Sequence, residues 1–343
     1  MLTWSLKELD LELKLYPSQK LSPTPNIDHE QLDPSVRKFL IVELKDMNFE
    51  AFGEVAYSAR FQEDPDTIKQ KFEEFKEQYP QNTGSVSELK SFVDKIDLPN
   101  SLKAGIEMAF LNFLSLMSNK PVSELLGLEM VSMVKSSFTL PRMEIGKIND
   151  AIIKNNLNRF HALRIKSGME CSKEIIKEVK KNFKGLIRID GMEDWPDPDE
   201  VIKFVEQFNK NGIIEYIEQP MPFDYHDQYL YLKKNIETMI IADESLVAGE
   251  VSNYFQERFH GVKVKLLKSG GVLNALQQAA MAKGHGLKAV LGCALETSVG
   301  VYGAMSIASA FDVLDLDGFF NIKEEPYRQV FEENGKLFSH FLH

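Results

Sequence analysis

Three acidic residues stand at intervals that suit a shared task. Asp190 closes the run Ile-Arg-Ile-Asp-Gly, Glu218 the run Tyr-Ile-Glu-Gln-Pro, and Asp243 the run Ile-Ala-Asp-Glu-Ser. They lie 28 and 25 residues apart, each close to one strand-plus-helix unit. If each ends a strand of one parallel sheet, three carboxylates arrive side by side. Anions so placed repel and raise one another's pKa unless a cation sits among them. All-oxygen donors select a hard cation, and Mg²⁺ fits first because it keeps positions for water or substrate oxygens. A single strand-end Asp is more often a cap or an ion-pair partner; three in register are not.

Two further runs carry cations. Leu-Arg-Ile-Lys-Ser holds Arg164 and Lys166, and Val-Lys-Val-Lys-Leu-Leu-Lys-Ser-Gly-Gly holds Lys263 and Lys265. Strand alternation puts each pair on one face. A like charge two residues back, together with burial, is expected to lower the pKa of both Lys166 and Lys265 and to make a neutral lysine available as a base. In an eight-stranded ring these runs, second and sixth, lie opposite each other. Lys166 and Lys265 would then face a substrate from its two sides.

The elements that must position these groups read as follows. The chain opens with strand-like segments at Ser5–Leu15, Phe39–Leu44 and Gly53–Tyr57, interrupted by a Pro-rich stretch, and continues with helical patterns at Pro65–Gln78, Ser85–Val93 and Ser101–Met117. From about Val131, β-rich runs alternate with amphipathic helices. The strand candidates are Ser136–Leu140, Ala162–Ile165, Gly185–Ile189, Ile213–Ile217, Met239–Ala242, Val262–Leu266, Lys288–Leu291 and Val313–Leu316. Eight such runs predict an α/β fold with a modified TIM barrel, (β/α)7β-like, rather than an open doubly wound sheet. The expected division is an α+β capping domain over 1–128, the barrel over 129–318, and a C-terminal segment, 319–343, that returns to the capping domain.

Bulk properties narrow the partners. A net charge of −11 argues against a general grip on nucleic acid or anionic lipid. The chain contains two cysteines, Cys171 and Cys293, a usage that fits a reducing, cytoplasmic setting without disulfides or a zinc site. No apolar run approaches the roughly 18 residues of a membrane span, and Met1–Leu15 mixes charges into its apolar residues, so neither anchor nor signal peptide is expected.

The order Arg-x-Lys, Asp, Glu, Asp-Glu-Ser, Lys-x-x-Lys-x-Gly-Gly resembles the muconate-lactonizing subgroup of the enolase superfamily, and its dipeptide-epimerase branch in particular. The stretch Gly105–Gly127, with Pro121-Val122-Ser123-Glu124-Leu125-Leu126-Gly127, is similar to that family's passage from capping domain into barrel. The resemblance implies that Asp190, Glu218 and Asp243 hold Mg²⁺, that the metal binds a substrate carboxylate, and that Lys166 and Lys265 exchange the α-proton of a dipeptide, such as L-Ala-L/D-Glu, through an enolate. It implies that Asp315 and Asp317, in Val-Leu-Asp-Leu-Asp-Gly, bind the substrate's ammonium group, and that Glu296, in Gly-Cys-Ala-Leu-Glu-Thr-Ser, stands near the site. Specificity would come from two capping loops, 17–35 and 53–64. The second carries Tyr57 and Arg60, the latter a candidate grip on a side-chain carboxylate. The partner implied is a small dipeptide, and assembly into a homo-oligomer is left open. Two features depart from the pattern: Arg164 replaces a lysine, and Gly191-Met192-Glu193 replaces Ala-Asn-Gln. The rival readings are an o-succinylbenzoate synthase-type lyase, which would not need Asp315 and Asp317 as an ammonium site, then a muconate-type cycloisomerase, and last a non-catalytic binding barrel.

Overall fold

The computed structural model describes residues 2–14, 35–81, 83–140, 143–195 and 197–340. Apart from Ser35, the first of the two expected specificity loops lies outside the described residues.

The N-terminal part is an antiparallel meander of β1 (Thr3–Glu12), β2 (Val36–Lys45) and β3 (Glu50–Val55) covered by helices α1 (Pro65–Gln78), α2 (Val86–Val93) and α3 (Asn100–Ser118). Asp64 starts α1 by accepting from the amides of Asp66 and Thr67, with Pro65 in the first turn. Ile68, Phe72 and Phe75 then recur at helical spacing and bury against Trp4 of the sheet. Helix α3 is buried on nearly every side, because it lies between this sheet and the barrel. A short α4 (Val122–Leu125) and strand β4 (Met133–Lys135) lead onward.

The barrel strands are β5 (Ser137–Leu140), β6 (Ala162–Lys166), β7 (Leu186–Asp190), β8 (Ile214–Glu218), β9 (Met239–Ala242), β10 (Gly261–Val264), β11 (Lys288–Gly292) and β12 (Val313–Asp315). They are joined by α5 (Ile148–Lys154), α6 (Met169–Asn182), α7 (Pro198–Phe208), α8 (His226–Lys234), α9 (Asn253–Arg258), α10 (Leu266–Ser269), α11 (Val272–Gly284) and α12 (Ser298–Met305). The strands run parallel and pair in sequence order from β5 to β12, as expected. Side chains close the ring between its first and last strands. Ser136 Oγ accepts from Leu316 N, Ser137 Oγ donates to Asp315, and Thr139 N donates to Asp317.

Strand β10 is shorter than its apolar run suggested. Lys265 keeps extended backbone angles but stands just beyond the ladder as the first residue of the turn into α10. That helix ends on Gly270 and Gly271, whose positive φ angles of 77° and 132° turn the chain into α11. The tail forms β13 (Val330–Glu333) and β14 (Lys336–Ser339), an antiparallel pair of which β14 also pairs with β4. Ahead of them Ile322 bridges Leu13, and Lys323 N donates to Glu12 O. The tail therefore ties the N-terminal sheet to the barrel's entry strand.

Two glutamates of the N-terminal part reach into the barrel. Glu54, at the end of β3, accepts from Thr297 N, Thr297 Oγ1 and Gly300 N at the start of α12. Glu107, from α3, accepts from Leu273 N at the start of α11. A helix N-terminus presents unpaired amides and a partial positive charge, so a carboxylate there acts as a clamp. Both helices follow strands that carry site residues. The clamps fix the N-terminal part over the barrel mouth.

Candidate active site

Register brings the acids together. Lys166 pairs with Asp190 across β6 and β7, and Asp190 pairs with Glu218 across β7 and β8. Asp243 follows β9 directly. All three carboxylates are buried at the carboxyl ends of neighbouring strands, where barrels of this kind carry their chemistry.

Cations surround them. Arg164 donates to Asp190 at 2.6 Å and to both oxygens of Glu218 at 2.8 and 3.2 Å. Lys263 donates to Glu218 at 2.6 Å, and Lys265 and Lys268 each donate to Asp243 at 2.5 Å. Lys166 Nζ lies 3.9 Å from Asp190, with its side chain 45% exposed. The two lysines singled out from the sequence thus approach one carboxylate cluster from strands β6 and β10.

Their electrostatics differ. Arg164 beside it and then the low-dielectric surroundings lower Lys166 from the ordinary lysine range, as expected. For Lys265 the expectation fails: burial does depress it, but Asp243 and Glu218 outweigh both burial and Lys263, and the net direction is upward. One lysine is shifted toward the neutral form and the other held as an ammonium. Among the acids, burial would raise Asp190 and Asp243. Arg164, Lys166 and Lys263 reverse it for Asp190, and Lys265, Lys268 and Lys263 hold Asp243 well below the carboxylate range.

The acids suit a hard cation by donor type and by strand-end placement. As they stand, their oxygens are engaged by arginine and lysine. Among the described residues no group of three or more His, Cys, Asp or Glu side chains is set to hold a metal ion. A divalent cation entering between them would exchange with ammonium contacts already made. The donor type of the set fits the ion, and the contacts the ion would replace are those with arginine and lysine.

Residues 150–335, more than half of the chain, match the family described as enolase C-terminal domain-like. The chain belongs to this enolase family. Among curated relatives, an L-Ala-D/L-amino acid epimerase of Pedosphaera parvula is 29% identical over 240 residues, 68% of each chain. A hydrophobic dipeptide epimerase of Roseobacter litoralis is 30% identical over 242 residues, 68% of this chain and 69% of that one. Among solved structures, the dipeptide epimerase of Enterococcus faecalis, complexed with Mg and the dipeptide L-Leu-L-Tyr, superposes with a TM-score of 0.82 at 20% identity. It covers 98% of this chain and 96% of that one.

Of the remaining candidates in this enolase-family barrel, Glu296 is buried beside the cluster, accepting from Ala294 N at 2.8 Å, with Lys265 among the charges acting on it. Asp317 is partly exposed and accepts from Thr139 N. Asp315 is not beside it at the mouth. It is buried inside the barrel among Lys263, Arg164 and Arg188. The two candidates of the capping loop have partners within the chain. Arg60 is exposed and its guanidinium is paired with Glu193. Tyr57 turns into the N-terminal part, its hydroxyl donating to Lys38 O at 3.2 Å. The Glu193 that replaces the usual amide therefore has a partner of its own, and it also accepts from Phe223 N at 2.9 Å.

Sequence reasoning missed Gln219 and Lys268. Gln219 is fully buried and accepts from Asp243 N and Ser245 N at 3.0 and 3.1 Å, which fixes the end of β9 to the end of β8. Its signal was its place directly after Glu218. Lys268 stands three residues after Lys265, so one turn of α10 brings both to Asp243.

Proposed function

We propose that the chain is a Mg²⁺-dependent dipeptide epimerase that moves one α-proton between Lys166 and Lys265. The observation that carries the reading is the approach of these two lysines, from opposed strands, to the single cluster of Asp190, Glu218 and Asp243. A two-base epimerisation needs one group on each face of the reacting carbon. The similarity to curated dipeptide epimerases supports the substrate class.

In this reading Lys166, shifted toward the neutral amine, accepts the proton from one face. Lys265, held as an ammonium, returns one to the other face, and the roles reverse for the opposite epimer. Asp190, Glu218 and Asp243 would hold Mg²⁺, which when bound supplies positive charge to the substrate's carboxylate as its α-carbon loses the proton. Arg164, Gln219 and Lys268 orient these three acids. Asp317 faces the substrate's ammonium group. With Arg60 paired to Glu193, the second side chain of the dipeptide meets no free arginine from that loop.

The test is to incubate the protein with Mg²⁺ and a library of L,L-dipeptides in D₂O and to follow α-deuterium and configuration. Hits that gain deuterium and invert identify the epimerase and its substrates. Lys166→Ala and Lys265→Ala should each cut epimerisation by about 10²–10⁴-fold, while one-sided exchange survives. Full turnover in either variant, or silence across the library with turnover of a succinylbenzoate precursor, sinks the proposal.

A further inference from the structure

The Asp-x-Asp pair at the end of β12 reads from sequence as one ammonium site, and the structure separates its two members. Asp315 has a buried side chain and contacts Lys263, Arg164 Nε at 3.2 Å, Arg188 at 3.7 Å and Tyr216 Oη at 3.5 Å, besides Ser137. Lys263, equally buried, spans from Asp315 to Glu218. The barrel is cut to admit this lysine. A Cβ on Gly292 of β11 would lie 2.5 Å from Lys263 Cε and 3.2 Å from both Cδ and Cγ, so any other residue there would displace the stem from this path. Asp315 is the register partner of that same Gly292. A carboxylate carrying this many cationic contacts has no unmet demand for a further ammonium. A lysine as deeply buried as Lys263 needs a fixed anion to remain charged.

We infer that Asp315 is a positioning residue: it anchors Lys263, and through it the Glu218 carboxylate, while Asp317 alone of the two meets the substrate's ammonium group. The substrate part of this statement rests on the dipeptide reading; the Lys263–Asp315 couple does not. Asp317 is suited to the outer role because it is partly exposed and stands two residues further along, past the end of the ladder. The chain thus recognises the substrate's amino terminus with one carboxylate and spends the other inside the barrel.

Two measurements test this. The first compares kcat and KM for a free-amine dipeptide and its N-acetyl counterpart. Asp317→Asn should raise KM for the free amine and reduce the preference for it by about tenfold or more. Asp315→Asn should lower kcat, keep the preference within about threefold, and regain part of its kcat when combined with Lys263→Met. If Asp315→Asn instead raises KM and erases the preference as Asp317→Asn does, Asp315 is a substrate ligand and the inference falls. The second measurement needs no turnover: thermal unfolding of Asp315→Asn, Lys263→Met and the double variant. The double variant should melt above the Asp315→Asn protein by at least about 2 °C. A double variant that melts where additive losses place it overturns the couple. Absence of wild-type turnover on every dipeptide would refute the substrate reading and the role given to Asp317, while the unfolding cycle would still decide the couple.

Discussion

The barrel lumen and the seam between N-terminal part and barrel both bury carboxylates, and the aspartates of the lumen are treated in the opposite way to the glutamates of the seam. In the lumen Asp190 and Asp315 are pushed up by burial, yet the arginines and lysines around them prevail and hold both below the carboxylate range. At the seam Glu54 and Glu107 meet backbone amides at helix N-termini. There burial prevails: it pushes Glu54, with Glu296 adding to it, up to about 8 and Glu107 up to about 7. Full opposite charges can offset desolvation where the partial charges of a helix end cannot. The aspartates Asp190, Asp243 and Asp315 are thereby kept ionised, whereas at Glu218, fully buried, burial outweighs Arg164 and Lys263 and pushes the carboxyl up. The seam can be neutral, since its acids need only hold two helices in place.

The comparison can be broken most directly at Arg164, which serves Asp190, Glu218 and Asp315 together. Arg164→Met leaves buried anions short of a partner and should cost about 3–5 kcal/mol, measured by urea unfolding at pH 7. An unchanged midpoint would mean that the lumen does not depend on charge pairing. A smaller effect, with the opposite sense, is expected at the seam. The Glu107 pKa is raised from 4.5 to about 7, so the folded protein holds a proton that the unfolded chain releases. The stability from this group is full below pH 4.5 and is lost as pH rises through 7. Glu107→Gln should remove that decline and leave the variant more stable than the parent at pH 8 by up to about 3 kcal/mol. Parallel stability curves for the two proteins between pH 5 and 8 would show that the seam acid is ionised throughout. The mildest change is Thr297→Val, which deletes the hydroxyl that donates to Glu54 at 2.6 Å and caps α12 through Val299 N. A loss of about 1 kcal/mol is expected, and a thermal midpoint equal to the parent's would show that the backbone amides suffice.

Neither Glu54 nor Glu107 could be picked out from sequence. Each is one glutamate within an apolar or amphipathic run, and its partners lie on helices 243 and 166 residues away. The barrel itself was legible, because parallel strands buried on both faces read as short β-branched runs at a steady interval. The acids Asp190, Glu218 and Asp243 and the lysines Lys166 and Lys265 were legible for the same reason: a residue that ends a strand inherits its position from the strand.

What sequence determined, then, was which residues arrive at the mouth. What only the tertiary structure decided was what each meets there. Alternation places Lys263 and Lys265 on one face, but whether a lysine is lowered or raised depends on which acids the neighbouring strands bring to it, and Asp243, at the end of the adjacent β9, reversed the expectation for Lys265. Spacing puts Asp315 and Asp317 two residues apart, but the missing side chain of Gly292 lets Lys263 claim the first and leave the second outside. Composition gives Arg60 its charge, and Glu193, 133 residues on, takes it up. Local pattern follows from covalent neighbours, whereas electrostatic role follows from neighbours in space, and a barrel supplies those from every strand at once.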